Sequence, residues 1–365
     1  MTAYAIAARR TAVIPRGGAF QRLSIEDLGA PVLRACLADA GISPAQVDEV
    51  IVSNALGTGG NPARRVALAA GLPERVAGLS TDRQCVGGLD AILLAGAMVE
   101  SGMAEIVIAG GVESYSRRPI RLATSPNGGP AKAYDEAPFT PWPDRNPLMA
   151  VAAAALAIRL GIPRAEQDDW AVKSHVRALR AGDLPEIVVL AGQTRDAFAR
   201  ALTHAIAART PVITGTITSA NAAVAADAAA FVLVVSDRIA AMAPRAVRLG
   251  PAVTLGGNPV EPGLAPVAAI VEVLARAGLR AKDLAQSEIM EAYAVQAIAC
   301  VDGAGLDPAR VNMQGGALAR GHPIGASGAI LAVRLFHALT KGTGLAAIAA
   351  AGGLGTALLM EGSGT

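Results

Sequence analysis

The chain has 365 residues, enough for two domains of ordinary size or for one large double unit. It is 52% hydrophobic but only 3% aromatic, so the core must consist mainly of Ala, Val, Leu and Ile. The formal charge of +2 gives no electrostatic argument for binding nucleic acid or an anionic membrane. No apolar run approaches the roughly 20 residues of a membrane span, and we expect no signal peptide.

The cysteines and histidines are scattered along the chain. Cys36, Cys85 and Cys300 are far apart in sequence, which argues against a disulfide framework and favours a reducing cytoplasm. The four histidines show no ligand spacing. We therefore expect neither a metal centre nor a bound cofactor.

Strands and helices alternate at the start of the chain. The predicted elements are a strand over residues 3–8, a helix over 25–40, a strand over 47–54, a helix that begins at 61–65, and a strand over 105–111. Asn61 is a good helix cap, and Pro62 is tolerated at the first helical position. The alternation predicts an α/β layered fold with a largely parallel sheet.

The amino-acid composition of the chain changes after Tyr115. Residues 117–146 are rich in Pro, Gly, Asp and Arg, which is typical of an excursion away from the core. Helices are predicted over 148–160, 165–179 and 195–208. The strand and helix pattern of the first part of the chain resumes at 214–221 and 228–235. The second half is predicted to contain a strand over 246–256, a helix over 265–277, a strand from 288 that leads into a helix ending near 301, and strands over 346–351 and 356–361.

One cysteine stands in a setting that suits a nucleophile. Cys85 is followed by Gly87 and Gly88, and then by an apolar segment over residues 92–103. If that segment is a helix, Cys85 lies at its N-terminal end, where unpaired N–H groups and the helix dipole favour a thiolate. A small buried residue is the alternative interpretation, because free cysteine is commonly buried.

A second stretch repeats this plan and favours the reactive interpretation. Residues 315–328 are rich in glycine, contain His322 and precede an apolar helix predicted over 329–339. The surroundings are also similar, since residues 91–93 and 106–111 resemble 329–331 and 348–353. Such an internal repeat implies two similar halves, one offering a cysteine and the other a histidine. A Cys and a His that face each other form an activated nucleophile pair.

These residues together resemble the thiolase family over nearly the full length of the chain. The matching stretches are residues 61–64, the Cys85 turn, 109–113, 215–221 and 315–328. The Gly-His-Pro-Ile-Gly-Ala-Ser-Gly run around His322 is the most specific of them. The resemblance implies a nucleophilic Cys85 that accepts an acyl group from a thioester and is activated by His322. It also implies that backbone N–H groups of Cys85 and of the turn at Gly352 and Gly353 stabilise the oxyanion.

The resemblance implies a thiolase-like fold, an α/β/α/β/α layering of two pseudo-repeated βαβαβαββ halves with a shortened loop domain. We divide the chain into an N-terminal half (1–117 and 209–236), an inserted loop domain (118–208) and a C-terminal half (237–365). The family is usually dimeric, so we expect a homodimer, with a tetramer or a hetero-complex as alternatives. The implied substrate is acyl-CoA or an acyl carrier protein thioester, and we expect neither nucleic-acid nor membrane partners.

The chain departs from the family pattern at positions that line the active site. The second family cysteine, an acid/base, is replaced by Ala349, and alanine cannot move a proton. The family's Asn-Glu-Ala-Phe motif reads Met290-Glu291-Ala292-Tyr293, so the asparagine that holds a catalytic water is lost. Glu291 is the nearest matched acid, and the resemblance implies a structural role for it. Several coenzyme A contacts also differ from the family, at residues 148–150 and 223–227.

The pair of Cys85 and His322 is present, whereas the second family cysteine and the asparagine are replaced. These observations lead to one preferred function and two alternatives. We predict a specialised acyltransferase that forms an acyl-Cys85 thioester and passes the acyl group to a carbon, amine or hydroxyl acceptor. One alternative is a 3-ketoacyl-CoA thiolase or acetyl-CoA acetyltransferase with an altered acid/base. The other is a non-catalytic thiolase-like subunit of a complex.

Overall fold

The structure, a computed structural model, describes residues 1–364. The strands are β1 Ala3–Thr11, β2 Ile14–Pro15, β3 Glu49–Ser53, β4 Leu79–Thr81, β5 Ile106–Glu113, β6 Arg121–Ala123, β7 Lys132–Tyr134, β8 Ile187–Val188, β9 Val212–Thr214, β10 Ile217–Thr218, β11 Ala226–Ser236, β12 Val247–Gly256, β13 Gln286–Ile289, β14 Lys341–Ala350 and β15 Leu354–Ser363. The helices are α1 Ile25–Ala40, α2 Pro62–Ala69, α3 Gly87–Glu100, α4 Met149–Leu160, α5 Arg164–Arg180, α6 His204–Ala207, α7 Asp237–Ala240, α8 Ala265–Ala277, α9 Ala294–Gly303, α10 Ala317–Arg320 and α11 Ile324–Ala338.

The main sheet is built from two halves, each with four corresponding strands in the same order. The N-terminal half runs β3-β5-β11-β1, with β4 added at its outer edge, and the C-terminal half runs β13-β14-β15-β12. In each half the first long pair is parallel (β3 with β5, β13 with β14) and the following, longer pairs are antiparallel. The predicted largely parallel sheet is therefore wrong, because each half ends in strands that pair antiparallel with their neighbours. The halves meet where β1 pairs antiparallel with β12, through Tyr4 with Arg248 and Ala5 with Val247. This repeat confirms the predicted pseudo-repeated α/β layering.

Two helices, α3 and α11, form the layer between the two halves of the sheet, and they pack on each other at backbone distance. A Cβ atom added to Gly88 would lie 2.6 Å from the carbonyl oxygen of Gly325, and one added to Gly328 would lie 2.5 Å from the nitrogen of Leu89. Such contacts leave no space for a side chain, so the approach of the helices requires glycine at these positions.

Three apolar clusters account for the layers. The inner cluster holds α3 and α11 against the inner faces of the strands, with Leu89, Ile92 and Leu331 among its fully covered side chains. An outer cluster covers the N-terminal half with α1 and α2, and another covers the C-terminal half with α8 and α9. Because both faces of each half-sheet are covered, strands such as β11 are buried at every residue.

The predicted helix over residues 195–208 is wrong for most of its length, because only α6 is helical there. Asp196 instead reaches into the interior, where its carboxylate accepts hydrogen bonds from Arg10 Nη1 at 2.6 Å and from the backbone N–H of Val13 at 2.8 Å. Glu186 also pairs with Arg10, at 3.2 Å. These buried ion pairs fix the inserted segment to β1, and they favour an extended chain over the helix that its composition suggests.

The helices that follow the two glycine-rich stretches begin earlier than predicted. Helix α3 starts at Gly87 and α11 at Ile324, so Gly87, Gly88 and Gly325 lie within their first turns, whereas Gly321 and the glycines before it precede α11. Among residues 1–364, none of the helices combines the length and apolarity that a membrane crossing needs.

Candidate active site

Cys85 lies in a short 3-10 turn, Gln84–Val86, that leads directly into α3. The residue before it, Gln84, has a left-handed backbone with φ of 52°. Its N–H donates to the carboxylate of Asp82 at 2.9 Å, which stabilises this unusual conformation. Cys85 is partly exposed, whereas Cys36 and Cys300 are buried. The turn therefore presents the one accessible thiol of the described residues, at the start of the central layer.

The structure brings His322 to this thiol. Its Nε2 atom lies 3.2 Å from the Sγ atom of Cys85, and its Nδ1 atom lies 2.6 Å from the hydroxyl of Ser327. When Nδ1 carries the proton and donates it to Ser327, the lone pair of Nε2 faces the thiol. The histidine backbone is fixed as well, because its N–H donates to the carbonyl of Val224 at 2.7 Å. The sequence pattern does not single out Ser327, although it lies within the glycine-rich run.

Burial makes both members of the pair neutral at rest. Burial raises the pKa of the Cys85 thiol to about 12, although the backbone N–H groups of Cys85 and Ala351 act in the opposite direction. Burial also lowers the pKa of His322 to about 4. Burial therefore opposes the thiolate that the helix N-terminus was expected to favour. The neutral imidazole is instead placed to remove the thiol proton when a substrate arrives.

This neutral resting state predicts slow alkylation of Cys85 at pH 7. Because only the thiolate reacts, and the pKa of the thiol is raised to about 12, the iodoacetamide rate is expected to increase about tenfold per pH unit between pH 7 and pH 9. Mass spectrometry of the intact protein measures the rate, with Cys85→Ala as the control for other sites. A rate that is already constant from pH 6 upward would contradict this prediction.

The glycine-rich turn between β14 and β15 lies beside the sulfur. Its contact with Cys85 is made by the backbone N–H of Ala351, one residue before the glycines predicted for this role. Gly352 and Gly353 both have φ of +80°. The carbonyl of Gly353 accepts a hydrogen bond from the N–H of Gly257 at 2.7 Å, which holds the turn in place. Ala351 is thus the residue of this turn that sequence reasoning missed.

The two altered positions differ in their surroundings. Met290 is 1% exposed and belongs to the inner apolar cluster, against which Cys85 also packs. Its backbone N–H donates to the carbonyl of Ala347 at 3.0 Å. Ala349 is half-buried in β14, two residues before Ala351. Neither side chain has a group that can carry a proton.

Glu291 is held by a full set of donors. One carboxylate oxygen accepts from Trp170 Nε1 at 3.1 Å and Asn312 Nδ2 at 2.8 Å. The other accepts from the hydroxyl of Ser174 at 2.8 Å and the N–H of Leu318 at 3.2 Å. Because Glu291 is 1% exposed and its acceptor sites are occupied, its carboxylate joins α5, the loop at Asn312 and α10 rather than facing a substrate.

A second buried carboxylate supports the candidate histidine from the other half. Glu113 accepts hydrogen bonds from the N–H groups of Gly325 at 2.9 Å and Ala55 at 3.0 Å, and from Asn54 Nδ2 at 2.7 Å. Burial raises the pKa of Glu113 to about 7, and these backbone donors act against that shift. Glu113 therefore links the end of β3 to the first turn of α11, which carries Ser327.

Comparisons with known proteins agree with this fold. The family model described as thiolase, N-terminal domain, matches residues 3–238, and the model described as thiolase, C-terminal domain, matches residues 243–362. An acetyl-CoA acetyltransferase of Cupriavidus necator is 38% identical over 391 residues, which cover 98% of each chain.

Solved structures show the same similarity. The acetyl-CoA acetyltransferase of Bacillus anthracis superposes with a TM-score of 0.90 at 30% identity, covering 99% of this chain and 98% of that one. The Acat5 thiolase of Ascaris suum, solved in complex with coenzyme A, gives a TM-score of 0.92 at 28% identity, covering 99% of this chain and 100% of that one.

The chain belongs to the thiolase family, which the sequence resemblance predicted. It is an acyltransferase of the thiolase superfamily. Residues 1–364 contain no cluster of His, Cys, Asp or Glu suited to holding a metal ion.

Proposed function

We propose that this protein is an acyltransferase that takes an acyl group from acyl-CoA onto Cys85 and passes it to an acceptor that requires no base at position 349. The observation that carries the proposal is the contact of 3.2 Å between Cys85 Sγ and His322 Nε2, with Ala349 in the nearby strand β14. Acyl loading needs only this pair, whereas abstraction of a carbon-bound proton needs a further base.

The first half-reaction uses groups that the chain retains. His322 takes the proton of the Cys85 thiol, and the sulfur attacks the carbonyl carbon of the donor thioester. The N–H groups of Cys85 and Ala351, which both act on the sulfur, are the candidates for binding the oxyanion. When the carbon–sulfur bond to coenzyme A breaks, His322 returns the proton to the leaving thiolate. Acyl-Cys85 and free coenzyme A are the products.

The second half-reaction is where this chain departs from the family pattern that its sequence resembles. Proton transfer by a positioned group typically contributes about 10²–10⁴-fold, and Ala349 and Met290 supply none. Condensation of two acetyl-CoA molecules should therefore be very slow. The remaining acceptors are a malonyl-type thioester that loses CO₂, an activated aromatic carbon, an amine or a hydroxyl. A carrier protein is the alternative acyl donor, and we propose a cytoplasmic homodimer, with a tetramer or hetero-complex as alternatives.

Ordinary thiolase chemistry is the second candidate, because the Cupriavidus necator relative bears the name acetyl-CoA acetyltransferase. It requires a base that replaces the missing cysteine. Glu291 is poorly placed for this role, since four donors already occupy its carboxylate. The third possibility, a subunit without catalysis, predicts that Cys85 and His322 are dispensable.

Intact-protein mass spectrometry with a panel of acyl-CoA donors tests the proposal. We expect a mass gain of one acyl group with at least one donor, and no gain in Cys85→Ala. No gain with any donor, or a gain that persists in Cys85→Ala, would overturn the acyl-enzyme at this residue. Thiolysis of acetoacetyl-CoA is measured in parallel, and fast turnover would establish the second candidate instead.

A further inference from the structure

The motif that loses a polar side chain at position 290 gains a hydroxyl three residues later. The family motif Asn-Glu-Ala-Phe reads Met290-Glu291-Ala292-Tyr293, so an amide is replaced by a thioether and a phenyl ring by a phenol. Met290 is 1% exposed, whereas Tyr293 is half-buried. The hydrogen-bonding group of this motif has therefore moved from an interior position to one with solvent access.

One backbone segment, residues 222–225, contacts both Tyr293 and His322. Tyr293 forms a bridge with Ala222, and the N–H of Ala223 donates to the carbonyl of Ala292 at 2.9 Å. Three residues further along the same segment, Ala225 bridges to His322. Because a strand rises about 3.3 Å per residue, these two attachment points are on the order of 10 Å apart. One short segment thus holds both residues at this spacing.

The Tyr293 hydroxyl is available as a donor. Among the side-chain hydrogen bonds of residues 1–364 none involves it, and it is not among the fully buried polar atoms that lack a partner. Its ring packs on the cluster formed by α4 and α9. Burial raises the pKa of Tyr293 to about 12, with smaller contributions in the same direction from Glu136, Cys85 and Tyr115. The phenol therefore keeps its proton at physiological pH, and Cys85 is close enough to act on it.

We propose that the Tyr293 hydroxyl donates a hydrogen bond to the carbonyl oxygen of the acceptor thioester in the second half-reaction, in place of the asparagine lost at position 290. The inference rests on the acyl-Cys85 enzyme proposed above. A protonated phenol stabilises an enolate oxygen but does not remove a proton from carbon. The acceptor must then form its carbanion without a base, and a malonyl-type thioester does so by losing CO₂.

The step balances without a further reagent. The bond between Cα and the carboxylate of the malonyl group breaks, CO₂ leaves, and the electron pair becomes an enolate whose oxygen accepts the bond from Tyr293. Its Cα attacks the acyl carbonyl, the carbon–sulfur bond breaks, and Cys85 leaves as a thiolate. A proton from water, delivered through His322, restores the thiol.

The test compares the native protein, Tyr293→Phe and Tyr4→Phe. Tyr4 packs on the outer cluster of the N-terminal half, so Tyr4→Phe removes a hydroxyl from outside the site. Acyl loading is measured by mass with acetyl-CoA, and transfer is measured as ¹⁴CO₂ released from carboxyl-labelled malonyl-CoA by the loaded enzyme. We expect Tyr293→Phe to load within about threefold of the native protein and to release CO₂ about 10²–10³-fold more slowly, the cost of one lost donor. Thermal unfolding verifies that each variant is folded.

Each of the other outcomes identifies which proposal is wrong. If the native protein does not load, the proposed function fails, and the role of Tyr293 fails with it. If it loads but releases no CO₂, the malonyl-type acceptor is wrong while acyl-Cys85 stands. An equal loss of loading and transfer in Tyr293→Phe would overturn a role specific to the acceptor. Rapid self-condensation of acetyl-CoA would show that a base acts at carbon, with the exposed Glu136 as the candidate, and would also overturn the proposal.

Discussion

Replacing His322 by alanine is expected to lower the rate of Cys85 acylation by about 10²–10⁴-fold at pH 7, the usual contribution of a positioned general base. The free thiol has a pKa raised to about 12, so without the imidazole almost no thiolate is present to attack the thioester. Time-resolved mass spectrometry with a saturating acyl-CoA donor measures this rate.

Raising the pH should partly restore the His322→Ala variant. Hydroxide removes the thiol proton when the imidazole is absent, so the acylation rate should increase about tenfold per pH unit up to pH 9. In the native protein His322 is already neutral well above its lowered pKa of about 4, and its rate should depend much less on pH.

His204→Ala is the matched control, because its side chain is 68% exposed and pairs only with Asp169 on the surface. It should acylate at the native rate. Equal rates for the native protein and His322→Ala would exclude the imidazole as the base.

Replacing Glu291 by glutamine is expected to destabilise the protein by about 3 kcal/mol or more. The variant keeps the volume but turns one acceptor oxygen into an amide donor, which then faces two buried donors such as Ser174 and Leu318, and each unmet buried group costs about 1–3 kcal/mol. Denaturant unfolding measures the loss. The folded fraction should still form acyl-Cys85, because the carboxylate does not face the substrate.

Glu272→Gln provides the comparison on the surface. Glu272 pairs with Arg276 on α8, and the two side chains are 46% and 55% exposed. The loss of such a pair typically costs about 0.3–0.5 kcal/mol. If Glu291→Gln were as stable as Glu272→Gln but inactive in acyl loading, the carboxylate would be part of the chemistry rather than of the scaffold.

Several features were readable from the sequence because they depend on local patterns. The repeat of a glycine-rich stretch before an apolar helix predicted two similar halves, and the strand orders of both halves show them. The helix over residues 265–277 was predicted with its observed bounds, since its apolar spacing and flanking Gly278 are local signals. The glycine-rich stretches were visible too, but Gly88, Gly325 and Gly328 serve close packing within the helices, whereas Gly315 and Gly321, with φ of 83° and 116°, form the turns before α11.

Other features depended on long-range contacts that no local pattern encodes. Residues 195–203 have a helical composition, yet the buried charge of Arg10 holds Asp196 in an extended segment. The thiol next to a helix start suggested a lowered pKa, but enclosure by both halves raises it instead.

The sequence by itself determined the family and the repeated halves, and it singled out Cys85, His322 and position 349 as candidates. Only the tertiary structure decided the distance between Cys85 and His322, the contacts of Ser327 and Ala351, and the four donors that occupy the Glu291 carboxylate. The physical reason is that the two halves contribute Cys85 and His322 from positions more than 200 residues apart. The distance between the two side chains follows from the packing of α3 on α11.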